Sequence, residues 1–512
     1  MRPVWTVHSY SIEQLRKLLT AASTAPWPAD CVHDKYFEDY FGEIGARRVL
    51  VEHDYIDHDF LEDFAAYYVR CFKDYSRMCT RLHFFKTAIS KADVENALSQ
   101  SDPAAVEKLK AGYLGFVVVR PIPQRCIGRA CLVTYPPAGR GADGRHYTNL
   151  RGYEAHPFGV KLEVTSLAFQ QQDQIVAECA TAALWSAFQA TGKLWGHHIP
   201  SPAEITDAAT RRIPLDTRTL PASGGLSVEQ MADAIRGCDL EPLHVGAAAA
   251  RHLRAAVHAY AGAGIPVVLV GDVVPMDDPD DEKKVQGRHA VTVTGYRTAG
   301  DVSGARLRSD RIDRLYAHDD AVGPFARMEF IERGDKPSML TTSLAPFKSE
   351  IGTRGFKPLV VLVPLYHKIR IPFERVWKEI VTLDQFIKGM GEGGAIDPFP
   401  PLEWDLHLTT VNHYKSDLLL RNDVEARRGV LERAMPRFIW VARAEHRAGG
   451  GLDLLFDATG IGGDDLCFAR VDRGSSVPAT LRAAGLEGAQ FEGAEATAAV
   501  LLERAPLSKR SA

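Results

Sequence analysis

A cysteine thiol becomes a working nucleophile when three conditions meet. It needs a helix N-terminus that favours thiolate, a histidine to accept its proton and a polar group to orient that histidine. The chain carries all three residue types in order. Cys179 opens the helix-patterned run of QQDQIVAECATAALWSAF. His289 begins the strand of GRHAVTVTGYR, where Val291 and Val293 alternate with Ala290 and Thr292 as a buried strand requires. Asp319 ends the next apolar run, in RLYAHDDAVGPF, before Gly323-Pro324 turns the chain away. His318 and Asp320 are the competing neighbours, and position on the strands favours His289 and Asp319. Taken alone, a cysteine in an Ala-rich helix is more often a small core hydrophobe than a catalyst. The ordered set, not the single residue, carries the functional expectation.

The elements that must hold these residues follow from local pattern. Residues 1 to about 100 read as largely helical, because apolar and aromatic side chains recur at helical spacing from Asp57 to Phe85. Within that run Asp57, Asp59, Glu62 and Asp63 read as a water-facing first helical turn rather than a metal site. Tyr67, Tyr68, Phe72 and Tyr75 read as core. Gly112 to Pro123 is a β-branched run closed by two prolines, the signature of a terminating strand, and a Gly/Pro-rich loop follows from Tyr135. A strand is expected over 163–169 and a helix over 178–190. Another helix should follow Ser227, whose spacing to Gln230 makes a capping box, and a third should span 245–261. The strand VVLV comes next, then an acidic surface loop, DVVPMDDPDDEKK. After about 345 short strands return, at 358–366, 436–446 and 452–460.

In its central part, about 160–330, the chain resembles the papain-like fold, and most closely the C39-like cysteine peptidases. The resemblance rests on a Gln-rich lead before Cys179, the HAVTVTGY strand headed by His289, and Asp319 at the end of the next strand. It implies that Cys179 attacks a carbonyl, that His289 acts as general base and then acid, and that Asp319 holds the imidazole tautomer. It also implies a glutamine that polarises the carbonyl. The family usually places it six residues ahead of the cysteine, but Asp173 stands there, flanked by Gln172 and Gln174, and both remain candidates. Ala180 also stands where the family often has glycine.

The remaining motifs carry less. His197 and His198 are adjacent, point apart on an extended segment and read as a loop rather than a metal pair. Glu445, His446 and Asp457 read as strand and turn. GIGG lacks the context of a dinucleotide fingerprint. The eight cysteines, at 31, 71, 79, 126, 131, 179, 238 and 467, include no CxxC pair and read as reduced thiols.

With 512 residues, a formal net charge of −4 and 25% charged side chains, the chain reads as an ordinary globular protein of about three domains. No basic patch points to nucleic acid, and no apolar run approaches the ~20 residues of a membrane span. The start lacks the pattern of a signal peptide, so a cytoplasmic location is expected. The expected fold class is α+β. A papain-like core at 151–345 would lie between an N-terminal helical-plus-strand region, 1–150, and a β-rich C-terminal region, 346–512. The expected activity is that of a cofactor-free, metal-free thiol hydrolase on a protein or peptide, with the flanking regions free to dock a protein partner. The alternatives are a transglutaminase-like acyl transferase and a non-catalytic interaction module.

Overall fold

A five-stranded antiparallel sheet runs in sequence order through β1 (Trp5–Ser9), β2 (Arg48–Tyr55), β3 (Cys79–Phe85), β4 (Tyr113–Val119) and β5 (Ile127–Leu132). It belongs to a computed structural model that describes residues 3–23, 25–28, 31–99, 103–137, 144–173, 178–211, 225–300, 306–334, 336–341, 354–392, 402–421, 427–446, 451–461, 466–475, 497 and 500–501. The helices α1 (Ile12–Ser23) and α2 (Val32–Ile44) bury Leu15, Phe37, Tyr40 and Phe41 with Leu82 and Phe84 of β3. Helices α3 (His58–Ala66), α4 (Lys91–Leu98) and α5 (Pro103–Gly112) contribute Phe60, Val94 and Leu109 to a second core with Phe85 and Phe116.

Helices predominate in the first hundred residues as expected, but this sheet adds three strands, β1, β2 and β3, that the helical pattern did not show. All seven side chains of β3 are buried, because its two faces belong to two different cores. A strand buried on both faces loses its polar alternation, and a short apolar run of that kind cannot be told from a buried helix by period. The acidic turn also departs from expectation. Asp57 does cap α3, accepting from Phe60 N at 3.1 Å. Yet Asp57 and Asp63 are each only 1% exposed, and Asp57 pairs with Arg129 at 2.8 Å instead of facing water. Tyr68 is core, whereas Phe72 is fully exposed.

Beyond the sheet come the short β6 (Arg145–His146), the hairpin β7 (Arg151–Ala155) and β8 (Leu162–Ser166), and three helices, α6 (Cys179–Trp195), α7 (Pro202–Thr210) and α8 (Val228–Gly237). The Ser227 capping box is present. Strand β9 (Leu240–Gly246) takes Val245, which the sequence pattern had placed in the following helix. Strands β10 (Val267–Pro275), β11 (Gly287–Thr298), β12 (Ile312–Asp319), β13 (Gly323–Ile331), β14 (Met339–Thr341) and β15 (Arg354–Tyr366) then pair in succession. Because β15 also pairs with β10, the six strands close into a β-barrel.

The chain divides into two compact units. The first comprises Met1–Ala250, Gly264–Arg297 and Asp313–Pro364, so the expected boundaries at 150 and 345 both fall inside it. The second comprises Arg251–Ala263, Thr298–Ile312 and Leu365–Ala512. It holds α9 (Ala250–Ala261) from its second residue on, α10 (Phe373–Glu392), α11 (Val411–Leu420) and α12 (Arg427–Glu432). Its four-stranded antiparallel sheet runs β16 (Leu402–Thr410), β17 (Phe438–His446), β18 (Gly451–Asp457) and β19 (Cys467–Arg473). Tyr414 and Leu418 of α11 pack on Ile439, Val441 and Leu455. The fold is α+β, and among the described residues no helix is long and apolar enough to cross a membrane.

Candidate active site

Helix α6 places the thiol. Alanines at 180, 182, 183, 187 and 190 favour the helix and make it narrow enough to bury on all sides from Ala180 to Thr191. Cys179, its first residue, is only half-buried. Glu178 stands at the cap in an extended conformation but makes no side-chain capping bond. The first amides of the helix, which have no acceptor inside it, are therefore not satisfied by that carboxylate. Thr292 of β11 donates to the Ala183 carbonyl at 2.5 Å, and Ala290 shares a core with Ala180, Ala183 and Leu184. Helix and barrel are thereby docked one turn from the thiol.

The barrel places the histidine and the carboxylate. His289 is the third residue of β11 and pairs across with Gly271 of β10. A Cβ at Gly271 would lie 2.5 Å from the Lys357 carbonyl oxygen and 2.6 Å from the Phe356 ring, so only glycine fits opposite His289. Asp319 closes β12, where the pairing with β13 shifts register between Ala317 and Asp319. Its partner there, Gly323, has φ +157° and abuts the Tyr36 ring, 2.4 Å from where a Cβ would sit.

His289 Nε2 lies 2.8 Å from Asp319 Oδ1, which also accepts from Ala321 N at 3.0 Å. The side chains of His289 and Asp319 are 15% and 6% exposed. The Cys179 thiol is close enough to the same imidazole to favour its charged form, and with Nε2 engaged by Asp319, Nδ1 is the nitrogen left to face it. Burial opposes a charge on this ring. The Asp319 carboxylate, the Cys179 thiol and the nearby Asp320 outweigh it and hold the pKa well above the ordinary histidine value. Cys179, His289 and Asp319 are thus brought together as the sequence order suggested.

The competing residues take other roles. His318 is 3% exposed, donates from Nε2 to the Leu167 carbonyl at 3.0 Å and accepts from Phe325 N at Nδ1, 3.1 Å away. Burial pushes its pKa down to about 3, so it is a neutral core histidine. Asp320 is also 3% exposed and its Oδ1 lies 3.8 Å from His289 Nε2. Among the described residues, neither of its carboxylate oxygens has a hydrogen-bond partner. Burial pushes its pKa up to about 6, with Asp319 adding to the rise and His289 opposing it.

The segment leading into Cys179 is fixed from the first sheet. Arg120, 2% exposed, donates to the carbonyls of Arg125 at 2.9 Å, Ile127 at 3.1 Å and Gln171 at 2.8 Å. Asp173, at the expected glutamine position, accepts from the Tyr68 hydroxyl at 2.5 Å and is engaged away from any substrate carbonyl. Burial, then the Asp173 charge, pushes Asp63 well above the usual carboxylate range. Gln172 is half-buried and among the described residues makes no hydrogen bond to the Cys179–His289 pair. Gln174 lies outside the described residues.

Sequence reasoning missed His33 of α2, whose Nε2 lies 2.9 Å from the Asp320 carbonyl oxygen and 3.2 Å from Gln171 Nε2. No motif marks it. Arg120 did carry a signal, as a lone cation at the end of the apolar run GFVVV.

The other sequence candidates lie elsewhere. His197 bonds Thr191 at 2.8 Å and His198 pairs with Glu204 at 3.1 Å. Glu445 is exposed on β17, and Asp457 binds Thr459 N at 2.7 Å. Among the described residues, the metal-capable side chains close enough to share one ion are His289, Asp319 and Asp320, with ligand atoms within 4.8 Å of one another. Comparison with protein-family models and with curated protein sequences finds no match to this chain.

Proposed function

We propose that this chain is a cysteine-dependent hydrolase, a C39-like, papain-like peptidase in its central region. One observation carries the reading: His289 Nε2 lies 2.8 Å from the Asp319 carboxylate, on a ring close enough to the Cys179 thiol for the thiol to favour its charged form. A histidine so placed takes the thiol proton at Nδ1, and the carboxylate stabilises the resulting imidazolium.

In this reaction the thiolate sulfur bonds to the carbonyl carbon of an amide, and the carbonyl π electrons move onto oxygen. The amides at the start of α6, which have no acceptor within the helix, are the available donors to that oxyanion. Collapse expels the amine, which takes its proton from His289, and leaves a thioester on Cys179. His289 then deprotonates a water, whose attack releases the acid and restores the thiol. Nothing in this cycle calls for an organic cofactor. The substrate class is a protein or peptide. Eight unpaired cysteines suit a reducing, cytoplasmic setting, and the regions flanking the central core are the surfaces left for a protein partner.

The test is the alkylation rate of Cys179 by iodoacetamide from pH 5 to 9 in wild type and His289→Ala, read by peptide mass spectrometry. The reading requires fast labelling well below the ~8.5 of a free thiol and its loss in the variant. Turnover of a peptide library must vanish in Cys179→Ser. An added amine captured in the product would reassign the activity to acyl transfer. The engagement of Asp173 with Tyr68 favours one second reading, a peptidase fold retained as a scaffold. It predicts Cys179 labelling no faster than that of the other half-buried thiols, Cys31, Cys71 and Cys238.

A further inference from the structure

Asp320 is the side chain the thiol mechanism leaves unexplained. Its carboxylate is 3% exposed, yet among the described residues neither oxygen has a hydrogen-bond partner. A buried carboxylate without donors is costly and calls for a counter-charge. The nearest ring nitrogen is His289 Nε2, at 3.8 Å, which is too far for a hydrogen bond.

We propose that His289, Asp319 and Asp320 form a binding site for a divalent transition-metal ion that holds the thiol inactive. The consequence for the thiol rests on the hydrolase reading; the binding site does not. Spacing supports it. His289 Nε2 is 2.8 Å from Asp319 Oδ1 and 3.8 Å from Asp320 Oδ1. A tetrahedral ion with bonds of ~2.0 Å keeps its ligand atoms about 3.3 Å apart, between the two observed values. One imidazole and two carboxylates are the donors that Zn²⁺ and Co²⁺ accept, and the dication balances both carboxylates. The His–carboxylate cluster of the second unit lacks this orphan. There Asp405 is already bound by His258 at 2.8 Å, His407 at 3.1 Å and Arg308 at 3.2 Å.

Occupancy would change the thiol directly. The ion displaces the Nε2 proton, which returns through solvent to the thiolate, and the ring stays protonated at Nδ1, the nitrogen Cys179 faces; the thiol is not a ligand to the same ion. A metal-bound imidazole is a poor acceptor for the thiol proton, so the thiolate–imidazolium pair does not form. Removing the ion restores it.

The experiment titrates Co²⁺ into metal-free full-length protein and follows its visible absorption in wild type, Cys179→Ala, Asp320→Asn and Asp319→Asn. The proposal expects one saturable site without a sulfur-to-cobalt charge-transfer band. It should be retained in Cys179→Ala and weakened at least tenfold in each carboxylate variant. Cobalt should slow Cys179 alkylation at least tenfold in wild type, and EDTA should reverse the effect. The two carboxylate variants serve as mutual controls, each checked for unchanged thermal unfolding. Absence of saturable binding, or binding that survives Asp320→Asn but not Cys179→Ala, overturns the site. Slow, His289-independent labelling of the metal-free protein would instead sink the hydrolase reading and leave the cobalt result standing.

Discussion

His33 Nε2 stands 2.9 Å from the backbone oxygen of Asp320, 287 positions later in the chain. Through this contact a helix of the first sheet braces the strand end that carries Asp319. The neighbouring ring contact to Gln171 braces the lead into Cys179 as well. The N-terminal region is therefore part of the framework of the site.

Replacing His33 with alanine should lower stability by about 1–3 kcal/mol, the cost of stranding a buried partner. It should also slow Cys179 alkylation several-fold, although the residue touches neither the thiol nor its histidine. Urea unfolding and labelling rates measured on one preparation check both; unchanged labelling would confine His33 to stability.

Arg120→Met should cost about 3–5 kcal/mol, because it leaves three buried carbonyls and the Asp63–Asp173 pair without their cation. Chemical denaturation measures the loss, and a value under 1 kcal/mol would show that water substitutes freely.

Asp319→Asn preserves shape but removes the charge that stabilises the imidazolium. Peptide turnover should fall by at least ~10²-fold, and the alkaline limit of rapid Cys179 alkylation should move to lower pH, since Asp319 is the strongest influence raising the His289 pKa. An unmoved pH profile would assign Asp319 a purely structural part.

Burial depresses His8, His33, His83, His197 and His318 of the first unit, His33 and His83 to about 4 and His318 to about 3. A depressed pKa contributes stability that is fully present above the unfolded value of ~6.5 and is lost as pH falls through the folded value. The thermal midpoint should therefore drop steadily from pH 6.5 towards 4. A His318→Phe variant, less stable at pH 7, should show a shallower slope; an equal slope would exclude His318 as a source.

Gly271→Ala should destabilise the barrel and displace His289. Its new methyl would meet the Lys357 carbonyl and the Phe356 ring, and overpacking of this kind costs roughly 1–3 kcal/mol. Reduced labelling of Cys179 alongside reduced stability is the expected pairing.

The catalytic candidates were legible because each sits at an element boundary that leaves a local trace. Cys179 heads an Ala-rich helix, His289 lies near the head of an alternating strand, and Asp319 precedes a Gly-Pro turn. The capping box at Ser227 was readable for the same reason. The strand Cys79–Phe85 was not, because burial on both faces erases the alternation that marks a half-exposed strand. The burial of Asp57 and Asp63 was hidden too, since their partners, Arg129 for one and Ala203 N for the other, are far away in sequence. Local pattern reports periodicity and caps, whereas His33 and Asp320 meet only through the tertiary fold.

The three reacting groups are also well separated in the order of synthesis. Cys179 emerges from the ribosome long before His289, and Asp319 follows later still. Until the barrel closes, with β15 laid against β10, the nascent thiol has no histidine partner. A growing chain thus carries Cys179 as a chemically ordinary thiol, and under the proposed function the newly made protein would gain its activity only once folding is complete.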